Sequence, residues 1–115
     1  MASDVYTSAG EGRVIDLMDT VTWYGASGTG AVAAAKGDTT LGTQVGSRVS
    51  TTDTQPAADQ LQMVFQQDYT GAAAITEVGI FDAASSGVLL QRHVFDPVNV
   101  GDGDSIEFTV VHEQA

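Results

Sequence analysis

The sequence predicts an all-β protein. The expected architecture is an antiparallel β-sandwich of the jelly-roll or Ig-like kind, a single domain over residues 13–115 behind a short N-terminal arm over residues 1–12. Three observations carry this. Residues 71–95 hold two apolar runs, 74–81 and 88–95, on either side of the small, polar Asp82-Ala83-Ala84-Ser85-Ser86-Gly87, the pattern of a hairpin with a connection longer than two residues. Residues 60–68 alternate, with Leu61, Met63 and Phe65 facing one way and Gln60, Gln62 and Gln66 the other. Residues 105–113 alternate too, Ile106, Phe108 and Val110 against Glu107 and Thr109. Half-buried antiparallel strands have this period. A chain of 115 residues supports one such core.

In chain order, residues 1–12 are polar and end in Ser8-Ala9-Gly10-Glu11-Gly12, which reads as an arm, either free or docked on a neighbouring subunit. Residues 13–19 fit a helical turn, with Val14, Leu17 and Met18 on one face, or a strand with Val14, Asp16 and Met18 on one side. Residues 20–24, TVTWY, are β-branched and aromatic and predict a strand in which Trp23 is a core or interface anchor. Residues 25–30, GASGTG, read as a flexible loop. They lack the dinucleotide-loop spacing and a Gly-Lys-Ser/Thr, so they are not a phosphate loop. An alanine run at 31–35 ends at Gly37, and Asp38 heads a capped single turn. A strand is expected over 46–52 and a loop over 54–59 around Pro56.

The second arm of the hairpin carries apolar residues on both faces, so it is expected to be central or to lie under an interface. Arg92 falls on the side of Val88, Leu90 and Val94. If buried it needs a carboxylate, and Glu77 on the opposing arm is the candidate. Residues 96–104 are expected to be a turn-bearing connection.

Charge is the strongest compositional signal. Fifteen acidic residues against four basic ones give a formal net charge of −11. Such a surface repels phosphate backbones, so nucleic acid is not an expected partner. The acids are spread along the chain, which favours general adaptation to high salt over a docking patch for a basic partner. Absence of cysteine excludes disulfides and thiolate chemistry. No apolar run approaches the ~20 residues of a membrane span, and Met1-Ala2-Ser3-Asp4 does not resemble a signal peptide.

No catalytic constellation is apparent. His93 and His112 lie inside expected strands without a nucleophile motif, and paired acids are too common here to be informative. Asp102 and Asp104 in Gly101-Asp102-Gly103-Asp104 offer too few ligands for a calcium loop and read as a polar turn. No enzyme activity, cofactor or metal is expected.

Ile75-Thr76-Glu77-Val78-Gly79-Ile80-Phe81-Asp82, followed by Gly87-Val88-Leu89-Leu90-Gln91-Arg92, Phe95, Pro97-Val98 and Gly103-Asp104-Ser105-Ile106, resembles small virion accessory proteins of tailed viruses. Their head-associated and tail-collar-fibre-like domains share the pattern ITE-(V/A)-G-(L/I)-F-(D/N)-A, a loop, L-(L/x)-x-R, F-x-P-(V/I), G-D and a closing strand. Gly28-Thr29-Gly30, Asp38-Thr39-Thr40-Leu41 and Arg48 fit the same order, so the resemblance covers about residues 20–112. It implies a non-enzymatic β-sandwich that self-associates, as a trimer or ring, and binds other virion proteins. The first expectation is a capsid-surface decoration or turret subunit on the major capsid protein, located on the virion surface. A tail, baseplate or fibre-attachment protein is the alternative. A third reading, a carbohydrate- or host-binding module, would use Trp23, Tyr24 and Tyr69 as a stacking site. The acidity, with Arg outnumbering Lys, suggests a halophilic, archaeal host. Trp23, Tyr24, Leu89 and Phe95 are the candidate subunit or partner contacts, and Glu77 and Arg92 the candidate structural ion pair.

Overall fold

The computed structural model describes residues 5–114. One helix and seven strands follow in order: α1 (Ser8–Met18), β1 (Tyr24–Gly28), β2 (Gln44–Ser50), β3 (Thr52–Thr54), β4 (Gln60–Asp68), β5 (Ala73–Phe81), β6 (Leu89–Val100) and β7 (Ser105–Glu113). They form two antiparallel sheets, one ordered β2-β1-β5-β6 and the other β3-β4-β7. The fold is therefore all-β and sandwich-like. Its main core is Trp23, Val78 and Ile80 from the first sheet's side against Leu61, Met63, Phe65 and Val110 from the second. Tyr69, Ile75 and Val100 extend it, and the half-buried Phe95 and Phe108 join the two parts.

The strands expected at 60–68 and 105–113 form with those bounds and pair over nine residues in unbroken register. Their alternation holds. Leu61, Met63 and Phe65 are buried, and Ser105, Glu107, Thr109, Val111 and Glu113 are exposed. The hairpin also forms, and Ser86 and Gly87 take positive φ in its connection.

Several expectations are corrected. The arm expected over 1–12 is replaced from Ser8 onward by α1, so the boundary set at residue 13 falls inside a helix; residues 1–4 lie outside the described residues. Thr7 caps α1 by accepting a hydrogen bond from Gly10 N at 3.0 Å, a signal hidden among other small polar residues. The helix buries Ile15 and half-buries Met18, whereas Leu17, expected on the inner face, is 52% exposed.

The strand expected over 20–24 begins only at Tyr24, and the GASGTG loop is instead the inner strand β1. Small residues are required there because both faces are approached closely. A Cβ at Gly25 would overlap the Phe65 ring on one face, and one at Gly28 would meet the Thr43 carbonyl and the Glu77 carboxylate on the other.

Residues 96–100 continue β6 rather than turning away. Pro97 is tolerated because β6 is an edge strand; of the two places expected for it, central in a sheet or under an interface, the first does not hold. Register shifts lie between Ile75 and Glu77 and between Ile80 and Phe81. The second undoes the expected alternation: Leu90 packs on the main core, while Arg92 turns to the opposite face. Finally, the alanine run is irregular, and Asp38 closes its turn backwards, accepting from Ala35 N at 2.9 Å.

Candidate functional site

Residues 29–43, between β1 and β2, lie across the outer face of the first sheet as a strap. Leu41 packs with Ala26 and Phe81, and Leu89 flanks them. The sheet admits this layer because Gly79 has no side chain; a Cβ there would lie 2.6 Å from Leu41 Cδ2.

Glu77 is the anchor of the strap. It is fully buried, yet every approach to its carboxylate is a donor. Oε2 accepts from Gly30 N at 2.7 Å and Thr43 N at 2.9 Å; Oε1 accepts from Gly42 N at 2.8 Å and Arg92 Nε at 2.9 Å. Beside it, Thr76 Oγ1 donates to Gly30 O at 2.8 Å. Successive residues of one strand normally face opposite ways. Here the irregularity between Ile75 and Glu77 lets both Thr76 and Glu77 reach the strap.

Arg92 completes the arrangement. Only 5% of its side chain is exposed; it pairs with Glu77, with Asp38 at 3.0 Å, and donates to Val32 O at 2.9 Å. The ion pair expected between Glu77 and Arg92 is thus present, with Asp38 as an additional member. Burial pushes the Glu77 carboxyl up, but donors from Thr43, Gly42, Arg92 and Gly30 outweigh it and hold the group below the usual carboxylate range. Asp38 is also held low, first by its bond from Ala35 and then, against burial, by Arg92. The Glu77 carboxyl raises the Arg92 pKa further. With its lone pairs occupied by donors, Glu77 is a fixed acceptor and has no geometry for proton transfer to a substrate.

The four expected contact residues do not gather on one surface. Trp23 is 8% exposed and belongs to the core, the first of the two places expected for it, where its indole N–H donates to Met18 O at 2.9 Å and holds α1. Tyr24 is half-buried at the start of β1, and Leu89 packs beside Leu41. Phe95 is half-buried, its ring centroid 6.2 Å from that of Phe108. It lines a groove of about 360 Å³ with Val78, His93, Phe108 and Val110. Nor do Trp23, Tyr24 and Tyr69 make a sugar platform. Tyr69 is 3% exposed, its hydroxyl 2.7 Å from the buried Ser27 Oγ.

A chain of side chains crosses the open side of the sandwich, which sequence reasoning missed. His93 Nε2 lies 2.7 Å from Gln91 Oε1, Gln91 Nε2 lies 3.3 Å from His112 Nδ1, and His112 Nε2 lies 2.7 Å from Gln114 Nε2. Gln114 Oε1 accepts from Tyr6 OH at 3.1 Å. Gln91 and His112 therefore tie β6 to β7, and Gln114 and Tyr6 extend the link to the segment before α1. Burial lowers the pKa of His112. At the 101–104 turn, Asp104 accepts from Gly101 N at 2.7 Å, and no cluster of three or more metal-ligating side chains occurs among the described residues.

Compared with known proteins, no family model matches the chain and no curated protein matches it.

Proposed function

We propose that this chain is a structural subunit of a tailed-virus particle, a decoration or turret protein on the capsid surface. One observation supports this above others. The residues that carry the resemblance, Gly30, Asp38, Leu41, Thr76, Glu77, Gly79 and Arg92, are those that fasten the strap to the first sheet. The shared pattern thus encodes a rigid three-layer scaffold rather than a reaction centre, as a protein selected for attachment rather than turnover requires. The many copies of a shell then supply strength by avidity from weak individual contacts.

The acidic surface, at a net charge of −11, suits a particle exposed to high salt. Immunogold labelling of intact particles with an antibody to this chain tests the reading. Label over heads supports it. Label confined to tails replaces it with the tail or baseplate role, and absence of label from particles on which the antigen is accessible removes it.

A further inference from the structure

The sandwich presents four sheet edges, and three of them are interrupted. β2 contains Gly46 at φ 78° and faces a register shift. β3 is three residues long. β6 carries Pro97 and two register shifts. Such features are how sheet proteins prevent edge-to-edge pairing. β7 has none of them. It runs nine residues in unbroken register with β4, without proline or bulge, and among the described residues no strand pairs with its other side.

The charges on β7 select what can pair there. Its exposed face presents Glu107, Thr109, Val111 and Glu113, and neither glutamate has an ion-pair partner among the described residues. A second copy added antiparallel about the two-fold at Thr109, which pairs all nine residues, would set Glu107 opposite Val111 and Glu113 opposite Ser105 and so give neither glutamate a cation. The register centred on Val110 would set Glu107 opposite Glu113 twice over, where like charges oppose pairing. The basic residues of this chain are Arg13, Lys36, Arg48 and Arg92, so none of its segments has two of them six residues apart. On the inner side, the groove between β6 and β7 is lined by Val78, Phe95, Phe108 and Val110 and opens beside the same edge.

We propose that the free edge of β7 is a docking site for an extended segment of a different protein, taken up as an additional antiparallel strand. That segment carries basic residues at both ends, opposite Glu107 and Glu113, and apolar residues between them that face the Phe95–Phe108 groove. Main-chain hydrogen bonds supply its affinity, and the groove and the two glutamates supply its selectivity. The inference rests on edge geometry and charge, and it stands whether or not the chain is a virion protein.

The probe is the blocked heptapeptide KTVLTVK, titrated into the full chain at about 0.15 M salt, where exposed charges still interact over about 8 Å. Amide NMR shifts should saturate and centre on Ser105–Glu113 and the groove. Replacing both peptide lysines by glutamate, or its leucine by proline, should abolish binding. The protein double variant Glu107→Gln/Glu113→Gln should weaken the parent peptide about threefold to tenfold, as expected for two exposed cross-strand pairs. The double variant Asp16→Asn/Asp19→Asn, equal in charge change but outside β6, β7 and the turn that joins them, should not. No saturable binding, shifts centred elsewhere, or equal weakening by both double variants would overturn the proposal. So would self-association of the wild-type chain through β7.

Discussion

Replacing Glu77 by glutamine tests the account of the strap most directly. The wild-type carboxylate is fully buried and receives donors from Gly30, Gly42, Thr43 and Arg92. Glutamine keeps the shape but offers one acceptor oxygen, and its amide group directs N–H bonds at donors on the other side. About two of the four donors lose their acceptor, and each buried unsatisfied group costs roughly 1–3 kcal/mol. Arg92 also loses the nearer of its two carboxylates while staying buried, and breaking such a pair typically costs about 3–5 kcal/mol in all. These figures describe the same lost contacts and do not add. The expected destabilisation is therefore about 3–5 kcal/mol, a large share of the ~5–15 kcal/mol that holds a domain of this size together. Urea unfolding followed by the single tryptophan, Trp23, reads the global change. Hydrogen exchange at Gly30, Gly42 and Thr43 reads the strap itself. Those three amides should lose protection before the β4–β7 amides do. A midpoint corresponding to less than about 1 kcal/mol, the net worth of an ordinary hydrogen bond, would refute the claim that Glu77 anchors the strap. So would uniform loss of protection across both sheets.

Further predictions concern pH and packing. Folding depresses the pKa of His112 from its ordinary 6.5, so the unfolded chain binds more protons and stability should fall as pH drops through that region. His112→Gln should flatten this part of the profile. The lowered Glu77 pKa contributes stability above its unfolded value of 4.5 and loses it as pH falls further, so acid unfolding should be steepest there. Asp53 has the opposite sign: burial raises its pKa, so its ionisation costs stability as pH rises, and Asp53→Asn should steepen the rise in stability between acid and neutral pH that Glu77→Gln blunts. Gly25→Ala should cost about 1–3 kcal/mol or more in urea unfolding, because its methyl would overlap the Phe65 ring in a filled core. Glu107→Lys should place two opposite-charge pairs across a β7–β7 contact centred on Val110, where the wild type would place two like-charge pairs, so sedimentation should show a dimer where the wild type shows none.

How far the sequence reveals this protein varies with how each segment buries its side chains. β4 and β7 were legible because each has one face in the core and one in water, so burial is written as alternation. The hairpin was legible from its apolar arms and small polar connection. Glu77 and Arg92 were identifiable as partners because a lone arginine among apolar residues needs a carboxylate, and few others stood nearby. β1 was not legible. It lies between Phe65 on one side and the strap on the other, and the glycines that permit this are the residues that mark a loop elsewhere. Helix α1 was masked in the same way by Gly10 and Gly12.

By itself, then, the sequence determined the fold class, two strands with their bounds, the hairpin and a buried ion pair, because local period and the cost of an unpaired charge act over a few residues. The tertiary structure alone decided the rest. It brought Gly30, Gly42 and Thr43 onto a carboxylate more than thirty residues away, chose the core over an interface for Trp23, and left β7 as the uninterrupted edge. Those outcomes depend on which backbone groups meet across the sheets, and a bulge of one residue is enough to change which face a side chain occupies.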